Sequence, residues 1–191
     1  MAVRLGRDYF EGLYAADPDP WRFKTSEYER EKYSRTVAAL EGRRFARGLE
    51  VGCSIGVLTR RLAGSCDALL AVDVSERAVA AARERLGGLP GVRVEERSLP
   101  EDMPDGPFDL VVCSEVLYYW DAALLTEALD GLGPRMDPGG SLLAVHWRPP
   151  TETYPLQGEE VHDLLRRRPE FELGFSEVNE HYLLERFDRP A

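Results

Sequence analysis

Leu49-Glu50-Val51-Gly52-Cys53-Ser54-Ile55-Gly56 is the stretch that decides the fold. Leu49 to Gly52 reads as a short buried strand, and residues 55–64 read as a helix ending near Gly64. The glycines between them permit a tight turn and let a ligand approach the backbone closely. The helix start beyond presents unpaired N–H groups. In a doubly wound sheet a nucleotide lies at the carboxyl end of such a strand. The dinucleotide fingerprint GxGxxG, counted from Gly52, meets Ser54 and Val57 where it needs glycine, so a pyrophosphate cofactor loses ground.

Outward from this loop, strand and helix alternate. Ala68 to Val74 is an apolar run containing Asp73, the pattern of a strand buried on both faces. Ser75 to Leu86 is a helix capped by Ser75 and stopped by Gly87-Gly88. Val92-Arg93-Val94 is a strand, residues 100–107 a loop, and Phe108 to Ser114 a fourth strand. A helix over 122–136, a sharp turn at Asp137-Pro138-Gly139-Gly140, a fifth strand over 141–147 and a helix over 159–168 follow. This alternation demands parallel strands with right-handed crossovers. Phe171 to Val178 and His181 to Phe187 are joined around Asn179-Glu180 without a helix, which places one antiparallel strand in the sheet. On the other side, residues 1–26 read as irregular, broken by Asp17-Pro18-Asp19-Pro20-Trp21. A helix is expected from Ser26 to Phe45, with a capping-box spacing from Ser26 to Glu29.

The chain has 191 residues, which suits one domain. It carries 24 Lys and Arg against 34 Asp and Glu, a net charge of −10. Such a chain lacks the broad basic face that nucleic-acid backbones demand. No apolar run approaches the ~20 residues of a membrane span. Met1 to Phe10 has charges and no signal-peptide core. Cys53, Cys66 and Cys113 cannot all pair, so reduced thiols in a cytoplasmic protein are expected. None sits in a CxxC or His/Cys cluster, so no metal site is expected.

The pattern E-x-G-x-S-x-G at Glu50–Gly56 is similar to the first motif of class I S-adenosylmethionine-dependent methyltransferases, commonly E/D-x-G-x-G-x-G, with serine at the middle glycine. Asp73 then has the place of the carboxylate that accepts both ribose hydroxyls; its bland reading is a helix cap, a role Ser75 already fills. In such enzymes the end of strand three flanks the adenine, often with an acid. Here Ser98 stands there, beside Leu99, Glu101 and Asp102, and the two acids equally suit an exposed loop. Beyond strand four come Ser114-Glu115-Val116-Leu117-Tyr118-Tyr119-Trp120. Glu115 can accept a proton or hold a cationic amine, and the aromatics can wall a pocket, shield a sulfonium by cation–π contact, or pack in the core. His146, at the end of strand five, is either a structural histidine or a neutral imidazole placed to take a proton.

The N-terminal segment narrows the resemblance. Tyr9-Phe10, Asp19-Pro20-Trp21-Arg22-Phe23 and Ser26-Glu27-Tyr28-Glu29-Arg30-Glu31-Lys32-Tyr33 resemble the NodS-like methyltransferases, as do residues 114–119 and His146-Trp147-Arg148. The family is named for nodulation proteins that N-methylate the free amine of a deacetylated chitin oligosaccharide. The resemblance implies a Rossmann-like α/β fold over 46–188, with a seven-stranded, mostly parallel sheet of order 3-2-1-4-5-7-6, and a lid or cap over 1–45. It implies S-adenosyl-L-methionine as cofactor, leaving as S-adenosyl-L-homocysteine. Cofactor contacts fall to Glu50, Gly52, Cys53, Ser54 and Gly56, to Asp73 and Val74, to Ser98 and Leu99, and to Ser114. Trp21 would fold over the pocket, unless it only staples the helix at 26–45. Acceptor contacts fall to Tyr28, Tyr33, Tyr119, Trp147 and Arg148.

The implied reaction is an in-line displacement in which the protein mainly holds both partners in place. Glu115 or His146 is the candidate base, with Tyr118 orienting. The acceptor is expected to be a small molecule or saccharide, with neither nucleic acid nor membrane as partner. A length this short leaves residues 1–26, 115–121 and 147–158 to build its pocket. The alternatives are an O-methyltransferase on the same core, a nicotinamide-dependent oxidoreductase, which the missing glycines oppose, and a cofactor-binding scaffold without catalysis.

Overall fold

The computed structural model describes residues 4–191. They fall into two compact units: Gly6–Ser98, and Leu99–Ala191 with the short piece through Leu5. Seven strands form one sheet of order β3-β2-β1-β4-β5-β7-β6, the order the resemblance implies.

In the first unit α1 (Arg7–Ala16) and α2 (Glu27–Ala38) precede β1 (Phe45–Val51), α3 (Val57–Leu62), β2 (Cys66–Asp73), α4 (Glu76–Leu86) and β3 (Val92–Glu96). β1 pairs parallel with β2, Val51 opposite Val72, and β2 parallel with β3, Ala71 opposite Val94. Ala78, Val79, Ala82 and Leu86 recur at helical spacing on α4 and are all buried. Ala82 and Leu86 pack with Cys53 and Ala71, against Leu89, Val92 and Val94. Ser75 caps α4 by accepting from the Ala78 amide at 3.2 Å.

Two expectations are corrected here. Residues 1–26 are not irregular throughout: α1 forms ahead of the Asp-Pro breakers and buries Phe10 and Tyr14, one helical turn apart. The second helix stops at Ala38, because the chain turns into the left-handed region at Glu41 (φ 54°) and Gly42 (φ 71°) before β1 begins at Phe45. Ser26 does cap α2, accepting from the Glu29 amide at 3.2 Å.

The second unit holds β4 (Phe108–Ser114), a 3-10 turn (Leu117–Tyr119), α5 (Ala122–Leu132), β5 (Met136–Trp147), α6 (Gly158–Arg166), β6 (Glu172–Val178) and β7 (Tyr182–Asp188). β4 and β5 are parallel; β7 runs antiparallel to both β5 and β6, so it is the one reversed strand of this unit. Asp137-Pro138-Gly139-Gly140 is no sharp turn between elements. It lies inside β5 as a bulge, where pairing jumps from Phe108–Met136 to Leu110–Ser141 and Gly139 takes φ 75°. β7 is buried through its first six residues, and the edge strand β6 is exposed along most of its length.

Candidate functional site

The loop between β1 and α3 passes through three left-handed residues: Gly52 (φ 75°), Ser54 (φ 50°) and Gly56 (φ 77°). Glycine suits the first and third. At Gly56 a side chain is also excluded by packing, since a Cβ would lie 2.9 Å from Leu86 Cδ1 and 3.2 Å from Ala82 Cβ. The amides of Gly52 and Cys53 both donate to the Val72 carbonyl, at 2.8 and 2.9 Å, which binds the loop onto the end of β2.

Asp73 completes the clamp. Its Oδ2 accepts the Ser54 amide at 2.8 Å and its Oδ1 the Ser75 amide at 3.0 Å. The carboxylate therefore ties the loop to Ser75, the residue that caps α4. Burial pushes its pKa up, and the backbone amides act in the opposite direction.

Glu50 is 2% exposed, and its Oε2 has no hydrogen-bond partner among the described residues. Burial pushes its carboxyl up to about 8; the Thr59 hydroxyl opposes this and the Asp73 charge adds to it. A buried polar atom left unmatched is a place where a ligand completes the hydrogen bonding. Cys53 turns its side chain away, into the Ala71–Ala82–Leu86 cluster, so only its backbone lines the loop. Val74 and Ser98 are half-buried and Leu99 is buried.

Sequence reasoning missed Tyr14 and Glu11, two residues that meet this loop and the start of α4. Tyr14 of α1 places its hydroxyl 2.5 Å from Ser54 Oγ. Glu11 accepts from the Ser75 hydroxyl at 2.8 Å. Trp21 meets the Tyr14 ring edge-to-face at 5.8 Å and stacks on Phe23 at 5.5 Å. The Asp-Pro run concealed α1, although the Phe10–Tyr14 spacing signalled it. Tyr28 and Tyr33, expected to meet the acceptor, flank the buried Lys32 ammonium at 5.1 and 5.9 Å. Tyr33 is 5% exposed and packs on Phe23 as well, so its ring serves the core.

In the second unit Ser114, at the carboxyl end of β4, buries its Oγ with no hydrogen-bond partner among the described residues. Glu115 follows with φ 55°. Its Oε2 accepts from the Tyr118 hydroxyl at 2.5 Å and from the Trp147 amide at 2.8 Å. Burial and the Glu115 charge raise the Tyr118 phenol far above its ordinary value, so it stays a donor. Tyr118 stacks on Tyr154 at 4.6 Å, and Tyr119 meets Tyr154 edge-to-face at 4.9 Å. Tyr154 comes from the 147–158 segment, which no motif had singled out residue by residue.

His146, the other candidate base, lies in the packing beneath the 3-10 turn. It is 0% exposed, and both ring nitrogens are engaged. The Leu117 amide donates to Nε2 at 3.2 Å, so the proton sits on Nδ1, which meets His162 Nε2 at 3.1 Å. His162 Nδ1 in turn reaches Glu185 Oε2 at 2.8 Å, and Arg166 closes the row on Glu185 Oε1 at 2.6 Å. The imidazole packs against the Tyr118 ring at 5.1 Å and holds the turn through the Leu117 amide. Nothing in the spacing of the sequence connects His146 with His162 and Glu185, which meet only through the α6–β7 packing. Arg148 is likewise committed, to Glu159 at 2.6 Å and to the Asn179 carbonyl at 2.5 Å, and Trp147 stacks on His181 at 5.6 Å. Both fasten the end of β5 to α6 and the β6–β7 connection.

Comparison with known proteins places this geometry. The chain is 32% identical over 130 residues to Nodulation protein S of Sinorhizobium fredii, a match covering 67% of this chain and 60% of that one. It is 34% identical over 131 residues to Nodulation protein S of Rhizobium tropici, covering 68% and 55%. The matches thus span less than two thirds of these relatives' own length. Among solved structures it resembles the N-methyltransferase NodS from Bradyrhizobium japonicum WM9 in complex with S-adenosyl-L-homocysteine, at 28% identity and TM-score 0.86, covering 96% of this chain and 98% of that one. The fold is that of the class I S-adenosylmethionine-dependent methyltransferases. The Nodulation protein S (NodS) family model matches residues 7–144, and the chain belongs to that family.

Proposed function

We propose that the protein is a methyltransferase that moves a methyl group from S-adenosyl-L-methionine to the nitrogen of a small-molecule or saccharide amine. The observation that carries this reading is the Gly52–Gly56 loop, held open by three left-handed residues and clamped onto Asp73. The solved relative that binds S-adenosyl-L-homocysteine supports it.

The residues present fit the cofactor. The unmatched Glu50 Oε2 suits a ligand ammonium, and the Asp73 oxygens retain lone pairs for ribose hydroxyls beside the two amides they accept. Gly52, Ser54 and Gly56 give close backbone approach, with Val74 and Ser98 half-buried in the same unit and Trp21 packed on the Tyr14 that meets Ser54. When bound, S-adenosyl-L-methionine supplies a methyl group already activated by its sulfonium.

The chain's own work is positioning, which accounts for a large share of such rate enhancements. Glu115 is the residue we assign to hold the acceptor amine or take its proton. Tyr118 orients it by donating to Oε2, and the Trp147 amide fixes the same oxygen from β5. Tyr118, Tyr119 and Tyr154 exclude water and offer flat faces to a sugar ring or a cationic amine. Among the described residues no helix is long and apolar enough to cross a membrane. Free, buried Cys53, Cys66 and Cys113 suit a reducing cytoplasm.

The test is calorimetric titration with S-adenosyl-L-homocysteine and with NAD, followed by a panel of amines and alcohols assayed for S-adenosyl-L-homocysteine release. Binding of the first ligand alone, with turnover on amines, is the expected result. NAD binding without S-adenosyl-L-homocysteine binding overturns the proposal.

A further inference from the structure

The first unit contains a cavity of about 330 Å³ lined by Lys24, Arg60, Ala81, Glu84 and Arg85. It lies between the segment leading into α2, the outer side of α3 and the face of α4. The size is at the lower end of small-molecule pockets and about ten times the room a single water takes. Its lining is unusual for this chain. Acids outnumber bases 34 to 24 overall, yet here three cations meet one carboxylate, a formal +2.

These cations are not neutralised from within. Most arginines of the described residues that pair with carboxylates do so on the surface, for example Arg44 with Asp67 and Arg168 with Asp130. Arg60, Arg85 and Lys24 have no carboxylate partner among the described residues, and neither does Glu84 have a cationic one. Instead the backbone holds the two arginines in place. Arg85 donates through Nε to the Ile55 carbonyl at 2.8 Å, and Arg60 donates through a terminal nitrogen to the Arg85 carbonyl at 3.4 Å. Each guanidinium has five N–H donors in a rigid fork, so one anchoring bond leaves the rest for a planar or tetrahedral anion. With one carboxylate to three cations the like charges repel one another, and the arrangement is relieved when an anion enters.

We propose that this cavity is a binding site for a phosphorylated small molecule, lined by none of the residues assigned to the cofactor and joined to the cofactor loop through the Arg85–Ile55 hydrogen bond. A phosphate monoester carries about −1.5 to −2 at neutral pH, which matches the lining. Arg60 and Arg85 grip the phosphoryl oxygens, and Lys24 adds a point charge. Glu84 stands at the side to accept from a hydroxyl of the remaining group. The assignment does not depend on the proposed methyl transfer.

The experiment uses the full chain, free of cofactor, with two probes: inorganic phosphate and phenyl phosphate. Affinity is read by calorimetry, with sodium chloride of equal ionic strength as the control for screening. Saturable one-to-one binding of phenyl phosphate is expected, with inorganic phosphate binding the same site. The double variant Lys24→Gln, Arg60→Gln changes two exposed side chains and weakens both probes by about tenfold or more. Glu84→Gln removes the one carboxylate and tightens them. Circular dichroism checks that the variants are folded. Absence of saturable binding to the wild-type protein overturns the proposal, as does unchanged affinity in the double variant or weaker binding in Glu84→Gln.

Discussion

Ser54 Oγ and Tyr14 Oη lie 2.5 Å apart, across the gap between the β1–α3 loop and α1. This contact accounts for serine at the loop's middle position, where the commoner residue is glycine. A non-glycine residue held at φ 50° costs roughly 1–2 kcal/mol. The hydroxyl offsets that strain by satisfying a buried phenol, which would otherwise lose about 1–3 kcal/mol. Ser54→Ala keeps the strain and strands the Tyr14 hydroxyl, so urea unfolding should show a loss of about 1–3 kcal/mol. Ser54→Gly relieves the strain as it removes the partner, and its stability should fall much closer to wild type.

Glu50 sets a pH dependence in the opposite direction from most carboxylates. Its ordinary value is 4.5, and in the folded protein it rises to about 8 through burial. Between these values the folded chain keeps a proton that the unfolded chain has released. Stability from this group is therefore complete below pH 4.5 and drains away as pH climbs toward 8. Unfolding free energies of wild type and Glu50→Gln, measured by urea titration without cofactor from pH 5 to 8, should diverge in favour of the variant, by on the order of a few kcal/mol at the top. Parallel curves would remove Glu50 as the source.

Tyr118 should act through Glu115 more than through its ring. Tyr118→Phe preserves the stack on Tyr154 and deletes one donor to Glu115 Oε2. Losing one charge-assisted hydrogen bond of about 1.5–3 kcal/mol should raise the acceptor KM or lower kcat by about tenfold or more, with affinity for S-adenosyl-L-homocysteine unchanged. Equal losses in cofactor and acceptor affinity would instead mark a general collapse of the turn.

The row from Leu117 through His146 and His162 to Glu185 should be a stability element. His162→Phe strands the His146 Nδ1 proton and takes a donor from the buried Glu185, at a cost of about 2–5 kcal/mol. Hydrogen exchange adds a local readout: the Leu117 amide, which donates to His146 Nε2, should exchange faster in the variant. Burial acts to raise the Glu185 carboxyl, but the His162 and Arg166 hydrogen bonds outweigh it and hold the group below its ordinary 4.5. Its contribution is present above that value and should fade as pH drops below 4.5, an acid-side loss that Glu185→Gln would not show.

The order of elements was legible in the sequence because burial patterns there are local. Phe108–Ser114 is a strand with the expected limits, and α4 takes its cap at Ser75 as its sequence demands. The loop at 52–56 could be read as well, since glycine placement reports backbone conformation directly. The sequence alone therefore determined an α/β methyltransferase fold and the strand end where the cofactor site is proposed. It could not determine what each chemically able side chain does. His146 looked like a base because it ends β5, and tertiary packing puts it on His162, 16 positions away. Asp73 looked like a ribose contact or a helix cap, and its oxygens hold the Ser54 and Ser75 amides. Arg148 looked able to meet an acceptor, and it is spent on Glu159 and Asn179. The physical reason is shared. Secondary structure follows from short-range sterics and the spacing of apolar residues, whereas the role of a polar group depends on which partners distant segments bring within 3 Å of it.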